Sequence, residues 1–409
     1  MPAAVAVARL ANGQPVAQKP VGACVITVCL CLHQFARPWR GGLDLTVAPR
    51  NDTSKPVILG FDMATIININ ADQQTTSNTL DDLHLYFADD LSQVEATLSA
   101  HLSSAASLIP EVSDHIIGAG GKRLRPLLTL SAARIAGYQG THHITMAAAV
   151  EFMHTATLLH DDVVDDSDLR RGKPTARKIW GNPTSVLVGD FLLGQAFRMM
   201  VGAGNLAALD VLSNAAAVIA EGEVMQLAAM RNADISEDNY LRIIEAKTAA
   251  LFAAAAEVGG ILAGASTTEI EALKSYGKNL GIAFQLVDDA LDYGSVNRVL
   301  GKNTGEDFRE GKVTLPVVLA YRRGDQTGRA FWERAMAAQN GEGSDFEAAF
   351  AADFESAVQY LQETGALKDT VARAAHFGER AKDALALFPP SDMRSLLIQL
   401  SEFCIARAY

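Results

Sequence analysis

The sequence predicts an all-α fold, and three observations carry that prediction. From about Leu80 to Tyr409 apolar residues recur at spacings of three and four, the period of one helix face. Ala and Leu, both strong helix formers, dominate these stretches, whereas alternating β-branched runs are scarce. Segments such as Ala147 to Leu159 and Thr248 to Leu262 are apolar on nearly every face, which marks helices at the centre of a bundle. With 409 residues, 49% of them hydrophobic and 20% charged, the chain is globular in composition and large enough for a sizeable core.

Taken in order, residues 1–62 are rich in Gly, Pro and Arg, poor in acids, and show no sustained period. They read as an extension. A targeting peptide is one reading; a start of the natural protein at Met63, with the rest lying upstream of it, is the favoured one. The apolar run Val21 to Leu32 is shorter than the about 20 residues of a bilayer span, so no membrane helix is predicted. Residues 63–79 form a linker, and 80–409 form the helical domain. Its breaks are expected at Gly118 to Gly121, Gly137 to Gly140, Gly172 to Pro174, Gly202 to Gly204, Gly264 to Thr268, Gly301 to Gly311, and the polar stretch Asn340 to Asp345. Lys plus Arg total 35 against 47 Asp plus Glu, a net charge of −12, which argues against a sequence-independent nucleic-acid binder. Cys24, Cys29, Cys31 and Cys404 make no C-x-x-C pair, so a reducing, cytoplasmic setting is expected.

One acidic pattern occurs twice, as Asp161-Asp162-x-x-Asp165 and as Asp288-Asp289-x-x-Asp292. Residues i and i+4 share a helix face, so Asp161 with Asp165, and Asp288 with Asp292, each aim two carboxylates one way. Each triplet ends an apolar stretch, which makes a plain solvated acidic face the weaker reading. Like charges at this spacing repel, and a hard cation is the natural compensation. Oxygen ligands without His or Cys suit Mg²⁺, which also binds phosphate oxygens.

Cations follow in short clusters beside glycines. Lys122-Arg123-Leu124-Arg125 follows Gly120-Gly121, and Arg170-Arg171-Gly172-Lys173 trails the first acid triplet. Lys247-Thr248 opens an apolar stretch, and Lys302 and Lys312 trail the second triplet. Such groups suit an anionic phosphate ligand. His154 and Gln285 lie on the two acid-bearing segments. Glu151-x-x-His154 also matches half of a di-iron carboxylate bundle, but no second E-x-x-H exists in the sequence.

Together these residues resemble the trans-isoprenyl diphosphate synthases, the polyprenyl synthetase family, over roughly Leu80 to Tyr409. The resemblance rests on Gly120-Gly121-Lys122-Arg123-Leu124-Arg125-Pro126, the two acid triplets, Arg170-Arg171-Gly172, Lys247-Thr248, Phe284-Gln285 and Gly311-Lys312-x-Thr314-Leu315-Pro316, in the family's order. It implies an isoprenoid-synthase-type helical bundle around a deep central cavity, homodimeric, that elongates an allylic diphosphate such as farnesyl or geranylgeranyl diphosphate with isopentenyl diphosphate. By the same resemblance, Asp161, Asp165, Asp288 and Asp292 bind three Mg²⁺, replaceable by Mn²⁺, and Asp162, Asp289 and Lys247 support the chemistry. Lys122, Arg125, His154 and Arg171 fall at the isopentenyl diphosphate site, and Arg170, Lys247, Thr248, Gln285 and Lys302 at the allylic diphosphate, with Lys312 a further substrate-binding residue. A class I terpene cyclase should lack the second triplet and the Gly-Gly-Lys cluster, and a head-to-head synthase should show D-x-x-x-D spacing.

Ala156 stands five residues before Asp161, with Met153 a turn further back. Both lie on or next to the face beneath the diphosphate. Short-chain members of the family place bulky aromatics near this point. A small residue here implies an open path and a long product, about C40 to C50, suited to a ubiquinone side chain and delivered to the membrane; a C15 to C20 product is the alternative.

Overall fold

The computed structural model describes residues 73–118, 120–294, 305–337 and 344–407. The extension 1–62, residues 63–72 of the expected linker, Lys302, and Asn340 to Gly343 of the expected polar break lie outside the described residues, while residues 73–79 of that linker are helical.

The helices are α1 (Gln73–Tyr86), α2 (Ala88–His101), α3 (Leu108–Ile117), α4 (Leu124–Ile135), α5 (His142–Val164), α6 (Ala176–Trp180), α7 (Asn182–Gly202), α8 (Leu206–Ala229), α9 (Glu237–Ile244), α10 (Ala250–Leu262) and α11 (Thr267–Asp292). After the undescribed stretch come α12 (Glu306–Glu310), α13 (Leu315–Arg323), α14 (Gln326–Ala337), α15 (Ser344–Glu363), α16 (Ala366–Ala384) and α17 (Asp392–Ala406). The strands described are β1 (Leu169–Arg170) and β2 (Lys173–Pro174), paired antiparallel with Arg170 opposite Lys173. An all-α architecture is therefore observed.

The two all-round apolar segments become the central helices. In α5 the side chains from Met146 to Met153 are buried without a break, and in α10 those from Leu251 to Gly260 are. α10 touches its neighbours backbone to backbone. A Cβ at Gly259 would stand 2.6 Å from the Ala133 backbone nitrogen of α4, and one at Gly277 of α11 would strike the Phe252 carbonyl of α10. Glycine costs about 1 kcal/mol in a helix interior, and close approach is the reason to keep it here. α11 starts on a complete capping box: Ser266 accepts from the Glu269 amide while Glu269 accepts from the Ser266 amide.

Two apolar clusters result. One gathers α2, α4, α5, α7, α10 and α17; the other gathers α9, the second half of α11, and α12 to α16 around Phe308 and Trp332. α7 is long and apolar enough to cross a membrane by length and composition, which the reading of the sequence did not anticipate. It packs along α5 through Val188, Leu192, Ala196, Met199 and Met200, as the core helix of a folded domain does.

α9 does not end where α10 begins. Glu245–Ala249 form one π-helical turn between them, and that turn carries Lys247 and Thr248.

Candidate active site

The first acid triplet lies at the C-terminal end of α5, where helix dipole and like charges both disfavour carboxylates. The fold answers each acid with a cation brought from elsewhere. Asp161 lies 3.9 Å from the Lys247 ammonium, Asp162 accepts from both Nε and Nη2 of Arg170 at 2.9 and 2.8 Å, and Asp165 pairs with Lys312 at 2.7 Å. Lys247 also pairs with Glu223 of α8 at 2.7 Å, and Lys312 with Glu310 at 2.6 Å. Burial still pushes the Asp161 carboxyl up to about 7, with Glu223 and Asp165 adding repulsion against Lys247. Burial works against the Lys312 ammonium, but Glu310, Asp165 and Asp307 outweigh it and raise its pKa.

The second triplet closes α11 and is treated differently. Asp288 has a 58% exposed side chain and lies 3.7 Å from Arg407. Asp289 is buried and accepts from the Tyr240 hydroxyl and, at 2.8 Å, from Gln285. Gln285 in turn accepts from Thr248 at 2.9 Å. Burial, then repulsion by Asp307, raises Asp289 to about 8. Asp292, expected beside Asp288 among metal ligands, is engaged by the chain itself. Its oxygens accept the backbone N–H groups of Gly305, Glu306 and Asp307, each at 3.1 Å.

A cavity of about 100 Å³ is lined by Lys247, Thr248, Gln285, Asp289, Asp307 and Lys312 among others; Asp289 belongs to the second triplet, and Lys247 and Lys312 pair with Asp161 and Asp165 of the first. The expected residues thus converge from α5, the π turn, α11 and the segment after α12. Among the described residues no group of three or more acids, histidines or cysteines forms a ready-made ion cage.

Of the remaining basic residues, Arg123, Arg125 and Arg171 surround His154 of α5 together with Arg170. Arg171 and Gly172, at φ 54 and 75, form the turn joining β1 and β2. A left-handed conformation costs a non-glycine residue about 1–2 kcal/mol, and the tight turn requires it to place Arg170 on Asp162. Arg123 is likewise left-handed at φ 46 where α4 begins. It is fixed by Glu95 at 2.8 Å and by buried Glu151 at 2.5 Å, so Glu151, half of the rejected di-iron pattern, is a structural partner. Arg125 is buried against the Phe252 ring, 4.6 Å from its centroid, and its Nε has no hydrogen-bond acceptor. Burial lowers its pKa to about 10, against the pull of Glu151. An orphaned buried donor of this kind suits an incoming anion. Lys122 stands over the Phe403 ring of α17, 5.1 Å away. His154 is held well below its usual value by burial and then by Arg125, Arg170, Arg171 and Arg123, so it is a neutral imidazole. Glu223, Tyr240, Glu310 and Arg407 were not anticipated from the sequence.

The polyprenyl synthetase family model matches residues 106–352. The chain belongs to that family. The octaprenyl diphosphate synthase of Escherichia coli is 44% identical over 320 residues, covering 78% of this chain and 96% of the relative. Two solved structures, a decaprenyl diphosphate synthase from Rhodobacter capsulatus and a polyprenyl synthase from Caulobacter crescentus complexed with calcium and isoprenyl diphosphate, are each 48% identical. Each superposes with a TM-score of 0.75 and covers 81% of this chain, and 99% and 98% of its own respectively. The chain is accordingly a trans-polyprenyl diphosphate synthase, a prenyltransferase that elongates isoprenoid chains.

In the synthase, Ala156 and Met153 are buried in the same apolar cluster as Leu192, Ala196 and Met200 of α7. Gly277 and Gly281 seat the stem of α11 directly on the backbone of α10.

Proposed function

We propose that this synthase adds isopentenyl diphosphate repeatedly, head to tail and trans, to an allylic diphosphate, with a product of about eight to ten isoprene units that follows the face of α5 marked by Ala156. The likeness to relatives named octaprenyl and decaprenyl diphosphate synthases supports the long product. The observation that carries the reading is that both acid triplets meet one cationic site: Asp161 and Asp165 pair with Lys247 and Lys312, which line the same cavity as Thr248, Gln285 and Asp289 of the second triplet. A quinone side chain is the destination that fits this length, and membrane delivery and a cytoplasmic enzyme accompany it.

The donor set fits Mg²⁺. Its members are carboxylate oxygens, and they do not close a cage on their own, so substrate phosphate oxygens complete the coordination. Asp161, Asp165 and Asp288 would hold three ions, with Mn²⁺ able to replace them, and the ions would supply Lewis-acid stabilisation of the departing diphosphate. A calcium ion and isoprenyl diphosphate are present together in the Caulobacter relative.

The chain's own groups do the rest. Lys247, Thr248, Gln285, Arg170 and Lys312 receive the allylic diphosphate, with Lys302 completing the set. In doing so the cations exchange carboxylate partners for phosphate oxygens, a preorganised electrostatic stabilisation. Lys122, Arg125, neutral His154 and Arg171 hold isopentenyl diphosphate. The double bond of isopentenyl diphosphate attacks the allylic carbon, and a proton then leaves the adduct for the released diphosphate. The apolar walls of α5 and α7 exclude water from the cation. Leu187 and Val201 of α7 and Leu206, Val224 and Leu227 of α8 are exposed apolar side chains, a face suited to a second copy in a homodimer.

Incubation with Mg²⁺, farnesyl diphosphate and labelled isopentenyl diphosphate, followed by chromatography of the dephosphorylated products, should give a ladder ending at eight to ten units. A ladder ending at three or four units overturns the long-chain reading, and no elongation overturns the whole.

A further inference from the structure

The sequence makes Asp288 and Asp292 look alike, four residues apart on one helix face. The structure separates them. Asp288 is largely exposed, whereas Asp292 has turned its carboxylate onto the segment that returns after α11. Oδ1 accepts the amides of Gly305 and Glu306, and Oδ2 accepts that of Asp307. A carboxylate has about four lone-pair sites, so three are already committed to backbone.

What those amides belong to gives the arrangement its meaning. The Asp307 side chain lines the cavity, and its carbonyl accepts the Lys312 amide at 2.8 Å. The Gly311 carbonyl between them accepts the Arg231 amide at 3.0 Å. Lys312 then reaches across to Asp165 of the first triplet. A continuous chain of contacts thus runs from the last acid of the second triplet, through Gly305 to Asp307, to Lys312 and the last acid of the first.

We propose that Asp292 is a positioning residue: it anchors the Gly305 to Lys312 segment by its amides, and so seats the Asp307 carboxylate and the Lys312 ammonium in the active site, leaving Asp288 as the metal-facing member of its triplet. The inference builds on the metal-dependent prenyltransfer reading, but the contact it names belongs to the polypeptide alone.

That separation sets the test. Asp292→Ser and Asp292→Asn keep a side-chain acceptor for backbone amides, whereas Asp292→Ala does not. Hydrogen exchange of residues 305–312 in the full-length protein without ligand should quicken about five- to tenfold in Asp292→Ala, the range expected for losing such a cap, and little in Ser or Asn. Turnover should rank Asn and Ser above Ala. With inorganic pyrophosphate present, Mn²⁺ counted by electron paramagnetic resonance should be unchanged in all three and reduced in Asp288→Asn. Phe308, buried among Trp332, Phe350 and Phe354, holds the segment from its other side, so Asp292→Ala is expected to loosen it without unfolding the domain; should Ala not fold, Ser and Asn still decide. Ser and Asn as inactive as Ala, with one Mn²⁺ fewer, would show Asp292 to be a ligand and overturn the proposal. Unchanged exchange in Asp292→Ala would overturn it as well. Failure of wild type to bind Mn²⁺ with pyrophosphate would instead count against the metal-dependent reading, while the exchange result still judges the anchor.

Discussion

The two acid triplets share a sequence pattern and a place at the end of a core helix, yet the fold satisfies them by opposite means. On α5 every acid has a cation partner: Lys247, Arg170 and Lys312 arrive from three separate segments. On α11 the two inner acids are held by neutral donors, a tyrosine hydroxyl, a glutamine amide and three backbone N–H groups. The difference has an electrostatic consequence. The first triplet is matched by positive charge, whereas the second is built into the framework, where burial and then Asp307 raise Asp289 and Asp292 each to about 8.

The sharpest way to break the comparison is to delete the first acid of each triplet. Asp161→Ala and Asp288→Ala should each lower turnover by at least about 10²–10³-fold, the scale of losing a preorganised charge-stabilising group, with the helical circular dichroism signal unchanged. Near-normal turnover in one of them would mean that a single triplet suffices. A second contrast concerns the helix stems. The α11 stem is seated on the α10 backbone through Gly277 and Gly281, so the proposed path runs along the Ala156 face of α5, and Ala156→Phe should cut the product to three or four units while leaving allylic ionisation intact, read by chromatography. It should cost about 1–3 kcal/mol from overpacking, read by urea unfolding. Unchanged product length would move the chain's path off this face of α5.

Tyr240→Phe tests the neutral support of the second triplet. Removing a donor from a buried carboxylate should lower stability by about 1.5–3 kcal/mol in denaturant unfolding, with a larger effect than the same deletion near solvent-exposed Asp288. Smaller still is the effect expected at His154, in the cationic surroundings beside the first triplet. Its folded pKa lies below the unfolded value of about 6.5, so as pH falls below about 6.5 the unfolded chain takes up the proton first. Stability should drop by up to about 1.4 kcal/mol per pH unit until the folded imidazole titrates too. His154→Gln should remove that slope from the urea midpoints between pH 6.5 and 5; an identical slope would show that His154 is not the group responsible. The smallest effect is expected from starting the chain at Met63, which should leave solubility and turnover at the full-length level; loss of folding would tie the extension to the domain.

Much of this was legible in the sequence, for identifiable reasons. α5 and α10 announce themselves because their burial is so complete that nearly every position is apolar, and the acid triplets because repulsive spacing on a core helix demands compensation. The partners were not legible. Glu223, Tyr240 and Glu310 are single side chains on helix faces or short turns, and only tertiary contact reveals that they meet Lys247, Asp289 and Lys312. Arg170-Arg171-Gly172 was readable as a cationic cluster but not as a hairpin, since two-residue strands leave no periodicity to detect. Asp292 shows the limit of pattern most plainly. Its spacing to Asp288 is ideal for a shared face, and what redirects it is a segment 13 to 15 residues further along.

The π turn at Glu245–Ala249 carries a further consequence, one of phase. Each residue of an α-helix advances the side chains by about 100°, and a π turn amounts to one residue more than the regular helix needs. The surplus lets α9 and α10 keep independent rotational settings along one continuous rod. Tyr240, Ile243 and Ile244 are buried on one side of the junction and Leu251, Phe252 and Ala255 on the other, while Lys247 and Thr248 line the cavity. Shortening the junction by one residue would restore regular hydrogen bonding but rotate everything beyond it by about 100°, so that α10 would have to leave its seat on α4 and α11 or Lys247 would have to leave the cavity. The junction therefore ties this length of chain to the site: an irregular turn is what allows a tightly seated core helix and a correctly aimed lysine to occur on the same rod.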